Sequence, residues 1–110
     1  MTSKIPFSDW EKVDLRVGKI IKVEDHPNAD KLYILTVDLG EEKERTIVAG
    51  LKNHYKKEEL ENKQGIFIAN LEPITLRGIE SNGMTLAVSD ENNVFIIQPE
   101  KEIKPGTKVK

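Results

Sequence analysis

The chain has 110 residues, 37% of them apolar and 33% charged, which makes one small domain with a single modest core. It contains no Cys, and this excludes a disulfide scaffold, a cysteine zinc site and a thiol nucleophile. Lys and Arg number 17 against 19 Asp and Glu, so the formal charge is −2 and any contact with a polyanion has to use a local patch.

In chain order, the opening MTSKIPFSDW lacks the apolar stretch of a signal peptide, and no apolar run is long enough to span a membrane as a helix. A cytosolic protein is expected. Ser8 and Glu11 have capping-box spacing and predict one helical turn. Period two then takes over, with Val13, Leu15, Val17, Ile21 and Val23 on one face and Asp14, Arg16, Lys22 and Glu24 between them. Gly18 interrupts this run and is expected at a bend, so that one long strand serves two layers.

The turn His26-Pro27-Asn28-Ala29-Asp30 leads to a second strand, Lys31 to Leu39. Gly40 to Lys43 is a charged turn, and Arg45 to Ala49 a third strand. Residues 52–63 are polar, without Val or Ile, and predict a short helix within 53–62. Gly65 to Ala69 reads as a buried fourth strand, 70–82 as mostly loop, Met84 to Val88 as a fifth strand, and Val94 to Ile97 as an extra terminal one. Strand count alone permits an SH3-like barrel. The helix between strands three and four selects the other small all-β barrel, the five-stranded Greek-key OB-fold. The whole of 1–110 is expected to form one such domain, with 1–12 and 94–110 as extensions.

Catalysis finds no support. The two histidines, His26 and His54, have no metal-ligand spacing with another His or Cys and read as surface or turn residues. No phosphate-binding glycine loop or nucleophile elbow is present. No enzyme activity, cofactor or metal is expected. Rings are few, so stacking on single-stranded bases has little to work with.

Two segments stand out: D-L-R-V-G-K-I (14–20) continued by H-P-N-A-D-K-L (26–32), and L-R-G-I-E-S-N-G-M-T-L-A (76–87). In that order they resemble the tRNA-binding domain family, which includes the C-terminal domain of methionyl-tRNA synthetase, free-standing tRNA-binding proteins and the endothelial monocyte-activating polypeptide II domain. The resemblance implies an OB barrel that reads tRNA shape and backbone. It also implies a homodimer, and a methionyl-tRNA synthetase catalytic chain as a further partner. The synthetase signatures H-I-G-H and K-M-S-K-S are absent, so this chain does not itself charge tRNA.

In an OB-fold the loops after strands one and four flank the binding face. Residues 25–31 and 70–83 occupy those places. The expected tRNA-contacting set is therefore Asn28, Lys31, Arg77, Ser81, Asn82 and Met84, with Arg45 and Lys52 at strand three and its exit. Plainer readings stand beside each: an Asx turn at Asn28, an edge charge at Lys31, a simple turn at 81–83, and a pocket wall at Met84. Ile5, Phe7 and Trp10 at one end and Val94, Phe95 and Ile97 at the other are apolar groups beyond the five strands, and they are the expected dimer interface. Packing of both ends back onto their own barrel is the competing reading. The competing function is a protein-interaction or chaperone-like dimer without tRNA.

Overall fold

One long strand organises the computed structural model, which describes residues 2–110. A helical turn, α1 (Phe7–Trp10), precedes β1 (Leu15–Asp25), β2 (Tyr33–Asp38) and β3 (Arg45–Ala49). A second turn, α2 (Lys57–Leu60), leads into β4 (Gln64–Ile68). The chain continues through β5 (Ile74–Leu76), β6 (Ile79–Ser81), β7 (Met84–Thr85), β8 (Ala87–Ser89) and β9 (Val94–Ile96). The main antiparallel sheet has the order β3-β2-β1-β4-β7. β1 is shared, pairing with β4 over Leu15 to Lys19 and with β2 over Lys19 to Asp25. The sheet curls until β3 meets the chain around Asn82, whose N–H donates to Thr46 O at 2.8 Å. This is a nearly closed five-strand barrel of the OB type, with α2 between its third and fourth strands. Among the described residues no helix is long and apolar enough to cross a membrane.

The barrel core is built from Ile20, Val23, Leu35, Val37, Leu39, Ile47, Leu60, Phe67 and Ile96. β1 does not keep one apolar face. Leu15 and Val17 belong to a second cluster with Ile66, while Val13, Ile68, Leu86 and Val109 pack against it. Ile20 and Val23 face the main core instead. Ile21, expected inside, is exposed, because the β1–β2 register shifts between Ile20 and Lys22 and leaves Ile21 as the extra residue of a bulge. Gly18 lies three residues before Ile21, beside Lys19, where β1 changes partner. A Cβ there would sit 2.7 Å from both Leu39 Cδ2 and Phe67 Cδ1, so the glycine makes room for the core.

Other boundaries also move. α1 begins after Pro6 with no side-chain cap, so Ser8 lies inside the turn rather than ahead of it. The expected fifth strand, 84–88, splits at Leu86, whose N–H bonds Ile66 O while its carbonyl accepts from Ile97 N–H. The terminal segment alternates cleanly. Ile96 is buried and Val94 packs against the barrel core, so Val94 belongs to its own barrel and is not offered to a partner. Phe95, 56% exposed, and Ile97 point outward. The tail folds back on β1: Gly106 N–H bonds Val17 O at 2.7 Å, Val17 N–H bonds Thr107 O at 2.9 Å, and Val109 N–H bonds Leu15 O at 2.9 Å.

Candidate nucleic-acid interface

The loop 26–31 and the β5–β6 hairpin stand side by side at one rim of the barrel. The hairpin is tight: Leu76 pairs with Ile79, and Arg77 and Gly78 turn the chain with φ of 51° and 89°. Positive φ at both central residues is the primed-turn geometry that matches strand twist and normally selects Asn-Gly. Arginine carries a steric penalty in that region, of roughly 1 kcal/mol. The turn holds Arg77 exposed at the tip.

Lys31 and Arg77 line one cleft of about 400 Å³, together with Ala29, Asp30 and Leu32. Neither cation has a carboxylate partner within salt-bridge distance among the described residues. On the other side of the hairpin a second cleft, about 500 Å³, lies over β2 and β3. Ile34 and Thr46 form its floor, and Arg45, Gly78, Ile79 and Asn82 are among its walls, with Glu44 and Glu80. The period of β2 puts Ile34 on the outward face, and this is the signal that sequence reasoning left unused.

The other residues expected to touch tRNA are placed differently. Ser81 is 2% exposed. Its hydroxyl accepts from Val48 N–H at 2.9 Å and donates to Gly83 O at 3.2 Å, so it is a closure element of the barrel and not a rim donor. Arg45 is also engaged within the fold. Its guanidinium grips Glu41 through Nε and Nη2, both at 2.7 Å, and donates to Ala69 O at 2.5 Å and Asn82 O at 3.5 Å. Hydrogen bonding to Glu41 raises the Arg45 pKa and lowers that of Glu41. Lys52 pairs with Asp25 at 3.3 Å, and Lys57 reaches the same carboxylate at 2.8 Å. These two lysines, Lys57 first, hold Asp25 below its usual range. Met84 is exposed on β7 and lines neither cleft. The Asn28 side chain is exposed, and its backbone N–H is bonded to His26 Nδ1.

His26 is the residue that sequence reasoning misplaced. It is 4% exposed, and both ring nitrogens have partners, so it is no surface histidine. No cluster of three or more potential metal ligands occurs among the described residues.

A nearly closed OB barrel with unpaired cations between its two rim loops is the architecture of a nucleic-acid-binding module. Residues 15–108 match the model of the family described as "Putative tRNA binding domain". The chain belongs to the tRNA-binding domain family. It is 62% identical over 106 residues to the methionine–tRNA ligase of Pyrococcus horikoshii, a match covering 96% of this chain and 14% of that protein. The chain therefore corresponds to a small part of that synthetase, a binding domain rather than a catalytic one. Among solved structures it is similar to a MetRS-related protein from Pyrococcus horikoshii, with a TM-score of 0.90, 35% identity and coverage of 98% of this chain and 99% of that one. It is likewise similar to the chaperone CsaA of Bacillus anthracis, with a TM-score of 0.87, 28% identity and coverage of 98% and 100%.

Proposed function

We propose that the chain binds tRNA through the cleft between the loop 26–31 and the β5–β6 hairpin, with Lys31 and Arg77 on phosphates. The observation that carries this reading is the meeting of two cations from distant parts of the sequence in one cleft, without carboxylate partners, one of them held in an unfavourable backbone conformation. Strain of that kind is kept where the side chain has work to do. Asn28, exposed in the same loop, adds hydrogen-bond groups for phosphate or ribose, and Asn82 offers its own from the second cleft. Interactions of this sort position a folded RNA without reading its sequence, so tRNAs of different identity bind alike. The module works in the cytoplasm, either attached to or docked on a methionyl-tRNA synthetase catalytic chain, to which it lends affinity for tRNA, or as a free-standing tRNA-binding protein.

The same reading includes a homodimer. Phe7, Trp10, Val13 and Val109 line an apolar groove of about 440 Å³ beside the tail, and Phe7 is 70% exposed. A second copy covers this groove and the exposed Ile5, Phe95 and Ile97. Two rims then act on RNA with a raised effective concentration. Sedimentation at micromolar concentration tests it: a dimer mass for the parent and a monomer mass for Phe7→Glu are expected.

The binding test is fluorescence anisotropy with two unrelated tRNAs. Lys31→Ala and Arg77→Ala should each weaken both complexes about equally. A protein-interaction or chaperone-like module is the second reading, favoured by the likeness to CsaA and by the exposed apolar groove. It holds instead if the parent chain does not bind tRNA; a parent that binds, with both variants matching it, moves the contact away from this cleft.

A further inference from the structure

The loop and the hairpin that make the rim belong to separate strand connections, and one side chain joins them. His26 Nδ1 accepts the N–H of Asn28 at 3.0 Å, which shapes the loop. Its Nε2–H donates to Leu76 O at 2.9 Å, on the last residue before the Arg77 turn. The His26 N–H also bonds Leu32 O at 3.2 Å and closes the loop's base. An acceptor at Nδ1 and a donor at Nε2 define one neutral tautomer.

We propose that His26 is the positioning residue that sets Lys31 against Arg77, its ring tying the two halves of the rim together. This rests on the tRNA reading of that rim. The charged groups on the elements that meet at His26 are Glu24 and Asp25 of β1, Asp30 and Lys31 of the loop, Arg77 and Glu80 of the hairpin, and Lys52 at the exit of β3. Asp25 is already held by Lys52 and Lys57, and none of these groups hydrogen-bonds the ring. Among the described residues the ring is therefore held by the Asn28 N–H and the Leu76 carbonyl. Losing the imidazole bridge does not remove a cation. It lets the two cations move independently, and ordering them again weakens binding.

The test measures tRNA affinity of the full chain and hydrogen exchange of the same variants. His26→Asn should bind tRNA about tenfold more weakly than the parent, the loss that follows from one buried hydrogen bond left unmade. His54→Gln, altering the exposed histidine, should bind as the parent does. Hydrogen exchange without RNA, corrected for the intrinsic rate, reads the coupling itself. Protection of 28–31 and 74–81 should fall together in His26→Asn, while Leu35 and Ile47 in the barrel stay protected. A parent that does not bind tRNA overturns the reading of the rim and leaves hydrogen exchange to decide the coupling. A His26→Asn variant that binds as the parent does, or hairpin protection unchanged while the loop opens, overturns the role given to His26.

Discussion

Arg45 opens β3 and Arg77 turns the β5–β6 hairpin, and the two do opposite things. Arg45 is wrapped in partners: a carboxylate on both sides of its fork and two backbone carbonyls, Ala69 and Asn82, from the connection that closes the barrel. Arg77 has none among the described residues, and its backbone sits in a region that disfavours it. The first is part of the junction that includes Ser81 and the Asn82–Thr46 bond. The second is part of the rim. A cation near a binding face is informative only when its hydrogen-bonding capacity is unused, because a guanidinium already satisfied by protein gains little from a phosphate.

The junction should break hardest. Ser81→Ala leaves the buried Val48 N–H without its acceptor, and urea unfolding should show a loss of roughly 1–3 kcal/mol. Arg45→Gln should follow with roughly 1–2 kcal/mol, since the Ala69 and Asn82 carbonyls lose a charged donor. If either variant kept full stability, the junction would not be the element that closes the barrel. The rim should respond with the opposite sign. Arg77→Asn restores the preferred Asn-Gly turn and should raise stability by about 0.5 kcal/mol while tRNA binding falls. A thermal melt and a binding titration on the same sample check both halves of that statement.

The smallest effect is on acid stability. Arg45 holds Glu41 below the ordinary carboxylate range, and Lys57 with Lys52 does the same for Asp25. Their folded values lie below their unfolded ones, so the stabilisation is present above the unfolded range and disappears as pH falls through the folded values. Both carboxylates are exposed and screened, so the change is small. Glu41→Gln should flatten the acid limb of stability against pH while leaving the neutral value close to that of the parent.

The legibility of the molecule divides along the same line. Short strands, their spacing and the polar helix between the third and fourth come from local pattern, and α2 and β3 lie where that pattern put them. The phase of β1 was not legible, because a bulge at Ile21 and a partner change near Gly18 each reset which residues face inward, and both depend on chain segments far away in sequence. The hairpin within 70–82 was hidden by its own unusual turn, Arg-Gly where Asn-Gly is the familiar signal. At the rim, the motifs brought attention to two loops that do meet in the fold but could not tell Ser81 from Lys31. A hydroxyl that bonds Val48 and an ammonium with no partner look alike as polar residues in a turn. His26 was invisible for the same reason: its two partners, Asn28 and Leu76, become neighbours only when the barrel closes.

The central claim is that Lys31 and Arg77 act on the RNA backbone while Arg45 acts on the fold. The salt dependence of tRNA affinity separates these directly, because removing one cation from a phosphate lowers the slope of log affinity against log salt by about 1. The slope should fall by about 1 for Lys31→Ala, by about 1 for Arg77→Asn and by about 2 for the double variant, with Arg45→Gln parallel to the parent. Parallel lines for the parent, Lys31→Ala and Arg77→Asn, with the lower slope in Arg45→Gln, would contradict the account.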